Sequence, residues 1–181
     1  MKSTAGIAEL KTMPETASVL VMANPASFEK TSLAMVKEFS REPGIYITFN
    51  WTHEALVELF KAQKIPSEKL FFIDMISKTG QPEGLVKGNH LHLGSPKNLT
   101  ELSIALDEIL ARYPEKKFLY LDSLSTMAVY NDPNAVIQFL HYFTNKSREK
   151  HIQSIILALN DEGSSKLLSV ISQFVNKVIR K

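Results

Sequence analysis

At 181 residues, 44% of them hydrophobic and 22% charged, the chain has the size and balance of one globular domain, which excludes wholesale disorder. It contains no cysteine, so disulfides, thiolate catalysis and cysteine-based zinc sites are excluded. A net charge of +2 gives thin electrostatic footing for phosphate contacts, and nucleic acid is not expected as a partner.

Residues 1–16 are expected to be a flexible or peripheral N-terminal segment, and 17–181 a single domain. Lys2, Glu9, Lys11 and Glu15 interrupt the N-terminal stretch, and no apolar run reaches bilayer length. The expectation is a cytoplasmic protein without membrane contact.

The first apolar run, 18–23, predicts a strand, and Leu33, Val36 and Phe39 predict a helix over 28–39. A strand follows over 44–49, then a helix over 52–63 with Thr52 as its N-cap. The run 69–74 is a third strand. Residues 77–97 are rich in Gly, Pro, Asn and Lys and read as an irregular loop, functional or mobile, with a candidate edge strand at 91–93. Beyond it come a helix over 98–112, a strand over 117–122, and a helix over 133–149. The last of these opens with Asp132 as N-cap and Pro133 at the first helical position. A fifth strand, 154–159, and a helix over 164–178 close the chain. Strands continuous in Val, Ile, Leu, Phe and Tyr are covered on both faces, so the fold class is α/β: a three-layer α-β-α sandwich on a mainly parallel sheet.

Two segments carry chemistry. Between the first strand and its helix lies Asn24-Pro-Ala-Ser-Phe-Glu-Lys-Thr31, which aligns on its end with the phosphate-loop frame G-x-x-x-x-G-K-[ST]. Lys30 and Thr31 are kept, while Asn24 and Glu29 stand where glycines should be. Glycine lets the backbone wrap and approach phosphates, and a carboxylate at Glu29 repels them. Two readings stay open: a vestigial loop that holds an anion weakly, or a plain helix start with Asn24 as N-cap and Pro25 at the first helical position. The second segment, Phe118-Leu-Tyr-Leu-Asp122, has the form of a Walker B strand. Asp122 is either a magnesium ligand or a strand-end carboxylate that caps local N–H groups with Ser123 and Ser125. Asp74 ends another strand and allows the same two readings. His90 and His92 share one face if extended, which suits a metal, with His53 or Asp74 as neighbours; exposed loop histidines are the plainer reading. Tyr46 and Trp51 are either packing aromatics or a stacking surface.

The order of elements, the degenerate loop 24–31, the strand 44–49 and Leu121-Asp-Ser-Leu-Ser125 together resemble the KaiC/RadA branch of RecA-like ATPases, widespread in archaea. The resemblance covers roughly residues 18–178. It implies the P-loop NTPase fold, with the five main strands ordered 3-2-4-5-1 and a crevice at their carboxyl ends. Such enzymes carry glutamates just after the second strand; here Asn50 and Trp51 fill those places. The resemblance therefore implies a vestigial nucleotide site at Asn24, Glu29, Lys30, Thr31 and Asp122, with no catalytic residue and no metal site. No cofactor is expected, and ATP with magnesium would be held weakly at most. The implied role is a pseudo-ATPase, a regulatory or scaffolding module for a protein partner, an active paralogue or its own copies. The alternative is a nucleotide-binding ATPase or sensor with a noncanonical phosphate loop, completed by a neighbouring subunit.

Overall fold

The computed structural model describes residues 7, 9–77, 86–161 and 165–181. Among these residues eight strands form one sheet: β1 (Ser18–Ala23), β2 (Gly44–Thr48), β3 (Leu70–Asp74), β4 (Val86–Lys87), β5 (His90–His92), β6 (Phe118–Asp122), β7 (Gln153–Leu159) and β8 (Lys177–Arg180). Their order is β4-β5-β3-β2-β6-β7-β1-β8. Every pairing is parallel except that of β4 with β5 at one edge. The five principal runs thus stand in the expected order 3-2-4-5-1.

Side chains alternate between two cores because successive strand residues face opposite ways. Leu20, Ile45, Ile47, Leu119, Leu121 and Ile156 turn towards α3 (Leu99–Arg112), α4 (Leu124–Tyr130), α5 (Pro133–Glu149) and α6 (Ser165–Ile171). Val19, Val21, Tyr46, Phe72, Tyr120 and Ile155 turn towards α1 (Phe28–Phe39) and α2 (His53–Ala62). Both faces being covered explains the unbroken apolar character of each strand. Gly44 opens β2 opposite Phe118, whose ring would lie 2.2 Å from any Cβ placed there. Glycine lets that aromatic ring close over the strand start.

The helix starts follow local chemistry. The Thr52 hydroxyl accepts the Ala55 N–H at 3.2 Å, and Asn98 and Asp132 cap α3 and α5 in the same manner. Two expectations change. The final helix ends at Ile171 rather than running to 178, and residues 177–180 instead form β8 beside β1. Asn176 starts that pairing: its N–H donates to the Ser18 carbonyl, and its side-chain oxygen accepts the Ser18 N–H. Without β8, the apolar β1 would present an open edge. The short helix α4 is also additional to the sequence reading.

Within the N-terminal stretch, residues 9–12 form a 3-10 turn, and Ile7 and Leu10 are buried in the α1/α2 core. Of the loop expected over 77–97, residues 78–85 lie outside the described residues; the candidate edge strand at 91–93 is β5 at 90–92, paired with β3 and with the short β4. No helix among the described residues is long and apolar enough to cross a membrane.

Candidate functional site

Parallel register brings three strand ends into line: Thr48 of β2 pairs with Asp122 of β6 on one side and with Asp74 of β3 on the other. Just past β2, the Thr48 hydroxyl accepts the N–H groups of Asn50 and Trp51 and donates to the Trp51 carbonyl at 2.8 Å. This tight turn aims Asn50 across at β6.

There Asn50 meets Asp122. Its side-chain N–H donates to Asp122 Oδ1 at 3.0 Å, while the Tyr46 hydroxyl donates to Oδ2 at 2.6 Å. The Asn50 carbonyl oxygen in turn accepts the Thr126 hydroxyl of α4. A second buried pair lies alongside, with the Tyr120 hydroxyl donating to Ser32 of α1 at 3.1 Å. Burial raises the Asp122 carboxyl to about 6, and the donors Tyr46, Asn50 and Ser32 offset only part of that rise. Burial and the neighbouring Asp122 charge push the Tyr46 hydroxyl well above its usual range, so it stays a donor. The expectation that Asp122 caps local N–H groups gives way to this side-chain network. The caps are made by its neighbours: Ser123 accepts the Thr126 N–H at 3.2 Å, and Ser125 accepts that of Leu159 at 2.8 Å.

Above this network, between α1 and α2, opens a cavity of about 420 Å³. Its floor holds Tyr46, Asn50 and Asp122; its walls include Phe28, Leu33, Trp51, Leu59 and Phe60, with Glu29 at the side. Of the five residues singled out from sequence, only Glu29 and Asp122 line it. Lys30 lies in the first turn of α1 and is exposed, whereas Thr31 is buried against the core.

The strand-to-helix junction is a tight turn. Asn24 is not the N-cap and Pro25 is not helical; α1 begins at Phe28 behind Ser27. The Ser27 N–H donates to both the backbone and side-chain oxygens of Asn24, each at 3.0 Å, and the Thr31 N–H donates to the Ser27 carbonyl at 2.8 Å. The Asn24 N–H is spent on the Lys181 carbonyl at 3.1 Å. The β8 strand thereby pins the turn from behind.

This architecture recurs in solved structures. KaiC-like protein PH0186 from the hyperthermophilic archaeon Pyrococcus horikoshii OT3 superposes with a TM-score of 0.63 at 14% identity, over 93% of this chain and 72% of that one. The flagellar accessory protein FlaH from Methanocaldococcus jannaschii gives 0.65 at 14% identity, with the same coverage of 93% and 72%. The chain has the RecA-like fold. No protein-family profile matches it, and no curated protein does.

Within this RecA-like fold the other strand-end acid, Asp74, behaves differently from Asp122. It accepts the N–H groups of His53 (2.7 Å), Ile76 (2.8 Å) and Ser77 (2.9 Å), and the Ser77 hydroxyl at 2.6 Å. Burial pushes its carboxyl up, but these donors outweigh that and hold it below the usual range. The structure brings the histidines to it: His92 Nδ1 lies 3.3 Å from Asp74 Oδ2, and the rings of His53 and His90 stack with centroids 4.0 Å apart. Burial, then the adjacent His90, lowers the His53 pKa. Among the described residues no group of three or more such side chains is arranged to hold a metal ion.

Sequence reasoning passed over Tyr120, Ser32, Thr126 and the α2 wall of the cavity. A signal existed for the first: Tyr120 and Asp122, two apart on a strand, must share a face.

Proposed function

We propose that this chain is a KaiC-like, RecA-superfamily ATPase homologue that does not hydrolyse ATP and acts as a regulatory or scaffolding module through protein contacts. One observation carries the reading: the direct hydrogen bond from Asn50 to Asp122. Two carboxylates facing each other across this gap would need a cation or a proton between them. With Asn50 the amide supplies the donor, so the pair is satisfied without magnesium. An amide also cannot accept a proton from an attacking water as a carboxylate does.

Two further features support it. The N–H groups of Ser27 and Thr31 are engaged within the turn rather than free to cradle phosphate. The cavity beside them presents Glu29 and Asp122 but no lysine or arginine among its described lining, a poor match for a triphosphate. Fold kept with chemistry lost leaves surface contacts as the property through which such a chain would act.

The test combines ATP turnover with sedimentation over a wide range of protein concentration. The proposal expects no phosphate release above background, together with self-association or a stable complex with a co-expressed RecA-like paralogue. Measurable turnover abolished by Lys30→Ala would overturn it, and so would a chain that stays monomeric and binds no such paralogue.

A further inference from the structure

The cavity between α1 and α2 has a chemistry of its own. It is about 420 Å³, room for a small organic molecule. Phe28, Trp51, Leu59 and Phe60 supply apolar and aromatic wall, and none of the fifteen lining residues is Lys, Arg or His. The two charged lining groups are both acids. Glu29 is exposed at the side, and Asp122 sits at the floor with 2% of its surface accessible. Lys30, the cation nearest in sequence to Glu29, is not part of the lining. Trp51 stands 44% exposed beside the opening although it is the bulkiest apolar residue of the chain. An aromatic wall attracts a cation through its ring face, and carboxylates attract it by charge.

We propose that this cavity binds a small amphipathic organic cation, an ammonium group carried on an aryl or alkyl body. The body lies against Phe28, Trp51, Leu59 and Phe60, and the ammonium sits between Glu29 and the Asp122 floor. An anionic ligand of the same shape would meet two like charges and no counter-charge. The inference rests on the reading that no nucleotide occupies this space.

Trp51 is the sole tryptophan, so its fluorescence reports occupancy without a label. The intact protein is titrated with phenethylammonium, with the neutral isostere phenethyl alcohol and with the anion phenylacetate. Phenethylammonium is expected to give a saturable change with an affinity about tenfold above the alcohol, and phenylacetate none. Glu29→Gln, at an exposed position, should weaken the ammonium by about threefold and leave the alcohol unchanged. Leu59→Lys, which puts a cation on the half-buried wall, should abolish ammonium binding. Equal response to all three probes, preference for phenylacetate, or a Glu29→Gln protein with undiminished ammonium affinity would overturn the inference. A parallel titration with magnesium and ATP separates the two readings: a saturable ATP signal overturns both. Silence from ATP and from phenethylammonium overturns this inference alone.

Discussion

Asp74 and Asp122 end neighbouring strands on either side of β2, level with the same Thr48, and both are buried, with 0% and 2% of their surfaces accessible. Their titration nevertheless shifts in opposite directions. Asp74 is met by the Ser77 hydroxyl and by three backbone N–H groups from the turns that follow β2 and β3, four donors that suit an ionised carboxylate. Asp122 is met by side-chain donors, the Tyr46 phenol, the Asn50 amide and the Ser32 hydroxyl, and burial prevails. The first acid therefore holds loops in place, and the second forms the floor of a cavity. Low surface exposure alone does not tell the two acids apart: the donors at Asp74 outweigh its burial, and those at Asp122 do not.

The largest effect should come from Asp74→Asn. An amide offers one acceptor where the carboxylate offered two, and it loses charge assistance, so a loss of about 3 kcal/mol is expected in urea unfolding at neutral pH. The folded pKa of Asp74 lies below its unfolded value. Its contribution is thus present above the unfolded value and is lost as pH falls through the folded one. The variant should accordingly show a shallower acid limb than the parent.

Next is Asn50→Asp. Removing the donor and facing Asp122 with a second acid should cost about 2 kcal/mol at pH 7.5, with partial recovery in millimolar magnesium. An unchanged urea midpoint would show that the Asn50 amide does not hold Asp122.

Asp122→Asn should do least at pH 7.5, within about 1 kcal/mol of the parent, because the ionised form it replaces is itself penalised there. Its signature lies in the pH profile. With a folded pKa of about 6 against an unfolded value of about 3.9, the native state binds the proton more tightly. The Asp122 contribution therefore declines as pH rises through that window, by roughly 3 kcal/mol in all. Urea midpoints at pH 4.5 and 7.5 should show that decline in the parent and its absence in the variant.

Much of the fold is legible in the residues. Asp132-Pro133 marks a helix start that the structure reproduces, and the unbroken apolar strands announce a sheet covered on both faces. The last helix is overextended because Phe174, Val175 and Val178 keep helical spacing. The edge of β1 draws Val178 into β8, with Phe174 and Val175 in the connection before it, and that is a tertiary fact. Asn24 and Pro25 look like a helix start, yet the side chain of Asn24 closes a turn on Ser27 and the β8 end ties it down. In the candidate site, Asp122 is visible as the carboxylate of a Walker B-like strand and Asn50 as a departure from the expected glutamate. That they bond to each other, and that Tyr46 completes the set, depends on β2 lying next to β6 with Tyr46 opposite Tyr120. The α2 wall gives no local signal, since Leu56, Leu59 and Phe60 read only as an ordinary amphipathic stripe.

Calorimetric titration of the protein with magnesium and ATP, beside its Lys30→Ala variant, asks whether this strand-to-helix turn still holds phosphate. No binding heat is expected for either protein at millimolar ATP, and no nucleotide-dependent shift in melting temperature. Micromolar binding by the parent, lost in Lys30→Ala, would contradict that expectation and place phosphates against the very turn that Asn24 and Ser27 close.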